Sequence, residues 1–252
     1  PSCNGGANGS ATVTVTGGTF PYSYFWLPSG NSASTETLLG TGTYYCNVTD
    51  VNGCIPSSGS ALVTIGNPTS IAAAVTQTNV TCYGSNDGTA TVTATGGTGS
   101  LGYLWSDGQT TVIASGLVAG SYTCTINDGT GCTTTLPVII TEPDEILPNF
   151  TITDVTCAGL SDGTATISPS GGSGFYTINW FNGSSGNTVG SLPAGNWTLG
   201  ITDLVNTGCN TALNFEIQMP TALTLSASFV DASCNGYSNG SATVIASGGT
   251  PY

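Results

Sequence analysis

The sequence predicts an all-β protein, a tandem array of small immunoglobulin- or fibronectin-like β-sandwiches pinned by disulfides. Three observations predict it. Thr, Val, Gly and Tyr are abundant while Met occurs once, a composition that favours strands and turns over helices. Short runs alternate polar and apolar residues with period two. The whole pattern recurs about every 77 residues, which marks a repeat architecture.

The elements of one repeat follow in order. An anchor cysteine comes first, at Cys3, Cys82, Cys157 and Cys234, and in the second and third repeats a strand precedes it (Ile71 to Thr81, Phe150 to Thr156). Asn8-Gly9, Asp87-Gly88, Asp162-Gly163 and Asn239-Gly240 come next, a hairpin signal because both residue types tolerate positive φ. Alternating strands then begin at Ala11, Ala90 and Ala242, and glycine pairs follow at Gly17, Gly96, Gly171 and Gly248. Trp26, Trp105 and Trp180 keep the same phase and are expected as core anchors. Tyr44 and Tyr122, after Leu-x-x-Gly-x, resemble the tyrosine corner of immunoglobulin-like folds, with Trp197 in the third repeat. Each repeat closes on Asp50, Asp128 or Asp203, a turn, a Gly-Cys pair at Cys54, Cys132 or Cys209, and Pro68, Pro143 or Pro220. About seven strands fit this length. The expected divisions are residues 1–68, 69–143, 144–220 and 221–252, the first lacking its opening strand and the last ending at Gly248-Gly-Thr-Pro-Tyr252. The sequence therefore reads as a window of a longer array.

Composition narrows function sharply. The 252 residues carry 13 carboxylates and no Lys, Arg or His, a net charge of −13. Nothing in such a chain can displace phosphate counterions, so nucleic-acid binding is excluded, and so is a polybasic membrane patch. Without His the commonest general base and metal ligand is gone, and without Lys so is Schiff-base chemistry. No pair of carboxylates is marked out for glycoside hydrolysis. The expectation is a non-enzymatic protein without direct membrane insertion. The missing cations also leave trypsin-like proteases no cleavage site, and uniform negative charge opposes collapse onto other anionic surfaces.

Nine cysteines in a Lys-free β array imply an oxidising compartment. The third repeat has Leu199 where the others have Cys46 and Cys124, so its only internal pair is Cys157–Cys209. By repetition Cys3–Cys54 and Cys82–Cys132 are expected, each closing a loop worth roughly 4 kcal/mol in the chain-entropy model. Cys46 and Cys124 then read as buried small hydrophobes. A Cys46–Cys54 pair across the hairpin stands as the alternative.

The ordered set of motifs resembles the SprB-repeat family of gliding and related bacteria. It comprises the opening Cys, Asn/Asp-Gly-Ser/Thr-Ala-Thr-Val, Gly17-Gly-Thr-Phe-Pro-Tyr-Ser-Tyr-Phe-Trp26, Leu-x-x-Gly-x-Tyr and the Asp-x-x-Gly-Cys turn before a terminal Pro. The resemblance implies part of a very large surface adhesin, exported across the outer membrane by a dedicated secretion system and, in some members, moved along the cell in gliding. It implies as partners the neighbouring repeats, the secretion and gliding machinery through other regions, and surface polysaccharide. A glycan-binding string on a secreted polysaccharide-degrading enzyme and a self-assembling filament are the alternatives.

Candidate sites are few. Asp87, Asp107 and Asp162 could offer calcium oxygens, but the first and third share their repeat position with Asn8 and Asn239, as turn residues would. Glu142, Asp144 and Glu145 at one repeat junction are the better calcium candidates, against a solvated linker. Asp50, Asp128 and Asp203 are expected to hydrogen-bond the turn leading to the Gly-Cys pair. No other cofactor is expected.

Overall fold

The structure is a computed structural model and describes residues 1–206 and 208–249. Thr250-Pro251-Tyr252, the end of the fourth motif run, lies outside the described residues. Among these residues there are strands and no helix. The chain forms two compact units, residues 1–79 with 86–140, and residues 80–85 with 141–252.

The first unit holds one complete sandwich. Strands β6 (Ala72–Thr78), β7 (Gly88–Thr95) and β9 (Ile113–Leu117) form one antiparallel sheet. Its companion is β8 (Gly102–Trp105), β10 (Gly120–Asn127) and β11 (Thr133–Ile140) in the order β11-β10-β8. Six strands, rather than about seven, thus make the repeat. The same unit contains β1 (Gly9–Thr12), β2 (Ser23–Leu27), β3 (Thr35–Leu39), β4 (Gly42–Thr49) and β5 (Ala61–Ile65), paired β1-β3 and β2-β4-β5.

The second unit repeats the six-strand plan. Strands β12 (Phe150–Thr153), β13 (Gly163–Ile167) and β15 (Thr188–Leu192) form one sheet, and β14 (Tyr176–Trp180), β16 (Gly195–Asp203) and β17 (Asn210–Ile217) the other. A hairpin of β18 (Thr224–Val230) and β19 (Ser241–Ser247) follows. Alternation explains the core: Ala165, Ile167, Leu199, Ile201 and Ile217 point inward with Trp180, which meets Phe215 edge to face at 6.1 Å.

Each tryptophan is buried and also ties down the chain that follows. The backbone N–H of Trp26, Trp105 and Trp180 donates to Asn31, Gln109 and Ser184 carbonyls at 2.8–3.0 Å. The indole N–H donates to Ala33, Thr111 and Gly186 carbonyls at 2.8–2.9 Å. Across the sheet the partners of these three residues are Cys46, Cys124 and Leu199. Cys46 and Cys124 are free and buried, so each is a small apolar filler, and burial pushes both thiols up in pKa.

The tyrosine corner is present in all three repeats. Tyr44, Tyr122 and Trp197 each donate to the carbonyl four residues back, Gly40, Val118 and Pro193, at 3.1 Å. They are half-buried, so their contribution is to fix a corner as well as to fill the core.

Candidate functional site

The chemistry of this chain is concentrated where one repeat meets the next, in the anchor loops (residues 2–8, 81–87, 156–162, 233–239) and the Gly-Cys turns (50–54, 128–132, 203–209). An anchor loop closes on itself. The N–H three residues after the cysteine donates to the cysteine carbonyl from Gly6, Ser85, Leu160 and Tyr237. Asn8, Asp162 and Asn239 accept the backbone N–H of Ser2, Thr156 and Ser233 at 2.8–3.0 Å. The Asn/Asp-Gly pairs therefore clamp a longer loop through the side chain, in place of the positive-φ turn expected from sequence. Glycine follows because a Cβ on Gly163 would meet the Leu192 carbonyl oxygen and Ile217 at 2.8 Å.

The Gly-Cys turn is held by its aspartate. Oδ1 of Asp128 accepts the amides of Thr130 and Cys132 at 2.9 Å, and Oδ2 accepts the amide of Thr98 at 2.9 Å. One carboxylate thus joins the turn to the Gly96-Gly97 loop on the same end of the sandwich. Asp203 does the same through Val205, Asn206 and Ser173, and Asp50 through Asn52, Cys54 and Thr19. Burial opposes ionisation of Asp128 and Asp203, but the hydrogen bonds they accept outweigh it and hold both carboxyls at about 2. Asp50 is also lowered, chiefly by the Cys54 and Thr19 amides. The Gly-Gly pair has two steric causes. A Cβ on Gly96 or Gly171 would meet the carbonyl oxygen of Ser70 or Glu145 at 2.1 or 1.8 Å, and one on Gly172 would meet Asp203 at 2.6 Å.

The disulfides join these two pieces across repeats. In the first unit Cys3 bonds Cys132, and in the second Cys82 bonds Cys209, with Cα–Cα distances of 5.6 and 5.4 Å. The expected pairs Cys3–Cys54, Cys82–Cys132 and Cys157–Cys209 are not formed, and Cys54, Cys157 and Cys234 are exposed thiols. The reason is strand parity. Between Cys82 and Cys132 the chain crosses the sandwich three times, by β7, by β8 with β9, and by β10. An odd number of crossings leaves anchor loop and Gly-Cys turn at opposite ends. The eight residues of β10 alone span roughly 25 Å, far beyond the Cα separation a disulfide permits. The alternative Cys46–Cys54 pair is also absent, since both are free.

Linker residues complete each junction. In the first unit Asn4 Nδ2 donates to the Pro68 carbonyl at 2.9 Å, the Gly5 amide to Asn67 Oδ1 at 3.0 Å, and Thr130 Oγ1 to the Ser2 carbonyl at 3.1 Å. In the second unit the Gly84 amide donates to Glu142 Oε2 at 2.7 Å and the Val80 amide to the Thr141 carbonyl at 3.2 Å. Glu142, a calcium candidate, is thereby engaged with the anchor loop, while Asp144 offers its carbonyl to the Gly172 amide. Among the described residues no three His, Cys, Asp or Glu side chains gather as a metal cluster, so Glu142, Asp144 and Glu145 are not brought together as a calcium site. Cys82, Tyr83, Asp144, Gly172, Asp203 and Cys209 line a cavity of about 210 Å³. Sequence reasoning missed the roles of Asn67 and Glu142, whose neighbours in the chain differ from repeat to repeat.

Fold and site together define a tandem immunoglobulin-like β-sandwich protein whose successive repeats are joined by disulfides. The SprB repeat matches residues 1–31, 74–110, 149–185 and 226–252. The chain belongs to the SprB-repeat family. Among curated proteins no sequence match reaches significance. Three solved structures are similar to it. The Down syndrome cell adhesion molecule, N-terminal eight Ig domains, is 14% identical with TM-score 0.39, covering 86% of this chain and 35% of its own. Three N-terminal domains of the bacteriophage RB49 highly immunogenic outer capsid protein are 14% identical with TM-score 0.36, over 85% of this chain and 91% of that one. The amphioxus IgVJ-C2 molecule is 18% identical with TM-score 0.25, over 55% and 98%. The chain thus spans about a third of the first of these.

Proposed function

We propose that this chain is a structural repeat region of a large bacterial cell-surface adhesin, an extended and protease-resistant stalk that serves surface attachment in gliding motility. Membership of the SprB-repeat family supports a cell-surface, adhesin-type repeat region, and the two disulfides accord with an extracellular setting. The observation that carries the reading is the junction disulfide, because a covalent bond from each repeat to the next suits a segment that must transmit load. The segment has no enzymatic role in this reading. Its partners are neighbouring repeats, the export and gliding machinery through other regions, and surface polysaccharide.

The test is to label the segment on living cells with a specific antibody fragment and track it. Directed travel along the cell at gliding speed is the expected result. A label that stays fixed would leave a passive surface stalk and remove the motile role. A label shed into the medium would overturn the surface assignment.

A further inference from the structure

The Gly-Cys turn of the first repeat is built like the two that are bonded, yet its cysteine has no partner in the chain. Asp50 holds Cys54 through the same two hydrogen bonds that Asp128 uses on Cys132, amide to Oδ1 at 2.9 Å and Asp amide to Cys carbonyl at 3.0 Å. At this repeat position Cys132 and Cys209 are each bonded to an anchor-loop cysteine of a different repeat. The surroundings carry a second, independent mark. Gly17, Gly18, Tyr22, Asp50, Cys54 and Ile55 line a cavity of about 240 Å³. Around the bonded turns the corresponding cavities include anchor-loop residues in their walls, Cys3 and Asn4 in one and Cys82 and Tyr83 in the other. A Cβ on Gly96 or Gly171 would strike neighbouring backbone, whereas one on Gly17 faces open space. Ile55, beside the thiol, is 73% exposed.

We propose that Cys54 and its cavity are the receiving half of a further junction disulfide, and that the occupant is the anchor loop of another SprB repeat. Cys157 and Cys234 are the matching giving halves. Both are exposed thiols at the repeat position of Cys3 and Cys82, in loops closed by the same Asx hydrogen bond. The reaction needs an oxidant, and a glutathione disulfide supplies it. Cys54 thiolate attacks the glutathione disulfide and expels one glutathione thiolate. The anchor-loop thiolate then attacks the mixed disulfide at the Cys54 sulfur and expels the second. Two protein thiols and one oxidised glutathione become one protein disulfide and two reduced glutathiones. Giving and receiving halves differ, so the contact is heterologous and builds open chains rather than closed pairs.

The test is oxidation of the whole chain by a glutathione redox buffer under native conditions, with cross-linked peptides identified by mass spectrometry after chymotryptic digestion. The expected products are multimers in which Cys54 is joined to Cys157 or Cys234 of a second copy. These links should exceed Cys54–Cys54 and anchor–anchor links by about ten-fold or more, and Cys54→Ser should abolish the multimers. Links in random proportion, a dominant Cys54–Cys54 dimer, Cys54 capped only by glutathione, or multimers that persist in Cys54→Ser would each overturn the proposal.

Discussion

The amide of Cys132 donates to Oδ1 of Asp128 at 2.9 Å, so the carboxylate that holds the turn also sets the position of the sulfur bonded to Cys3. Replacing Asp128 by Ala removes acceptors for three amides at once and leaves them in a nearly buried site, where unpaired donors are costly. The expected outcome is a fall of several degrees in the melting temperature of the first unit, with slower formation of the Cys3–Cys132 bond on refolding. Melting followed by circular dichroism, together with timed thiol trapping, checks both.

The same carboxylate fixes a pH dependence. Asp128 and Asp203 have folded pKa values of about 2 against an ordinary 3.8. Lowered folded values mean that their stabilisation is fully present above pH 3.8 and is lost as pH falls through 2. Protonation of the other carboxylates meanwhile relieves the repulsion within a chain of charge −13, which acts in the opposite direction. The measurement is therefore a difference: the urea midpoint of the native chain minus that of Asp128→Ala should be constant from pH 7 to 5 and shrink between pH 4 and 2. A difference that stays constant down to pH 2 would remove the aspartate from this role.

Sequence period, tryptophan phase and the tyrosine corner were legible because each is a local pattern that the fold repeats in place. The pairing of Cys82 was not. Elimination within the third repeat assumed that a repeat closes on itself, and the only signal against it was the odd number of strand crossings between Cys82 and Cys132. Counting crossings from the alternating runs would have placed the two at opposite ends. The Gly-Gly pair was visible as a motif, but its cause lies in backbone that passes within contact of Gly96 and Gly171 from a remote part of the sequence. Asn8 and Asp162 were legible as turn residues, yet their use as side-chain clamps depends on a loop length that the Asn-Gly signal does not encode.

Thiol reactivity should separate the free cysteines into two sets. Cys54, Cys157 and Cys234 are exposed, whereas Cys46 and Cys124 are buried opposite tryptophans with their pKa values raised by burial. Titration of the native chain with an aromatic disulfide reagent is expected to show three fast thiols, and two more only on unfolding. A Cys124→Ser change would bury a hydroxyl against Trp105 and should cost roughly 1–3 kcal/mol.

Leu38 and Ser191 have φ of 59° and 57°, at a bulge where the second repeat has Gly116 at 69°. A side chain in this region is strained, and Leu38 is 78% exposed, so it loses little packing on truncation. Leu38→Gly is expected to raise stability by about 0.5–1 kcal/mol, seen as a higher urea midpoint. A decrease would mean that the exposed leucine contributes contacts outweighing the backbone strain.

The staggered disulfides also determine how far the chain can be drawn out. The bonds Cys3–Cys132 and Cys82–Cys209 enclose overlapping loops, so the shortest covalent route from residue 3 to residue 209 crosses both and includes only the 50 residues between Cys82 and Cys132. That route contains β7 to β10 and leaves out β6 and β11, the first and last strands of the repeat. At roughly 3.5 Å per residue the oxidised segment between residues 3 and 209 can extend to about 175 Å. Reduction releases the full 206 residues, or about 720 Å by the same rise. Pulling single molecules by their ends before and after adding a reductant should show this roughly four-fold gain. Bonds within each repeat would instead leave the linkers and outer strands in the load route under oxidising conditions, and would place the oxidised limit far above 175 Å.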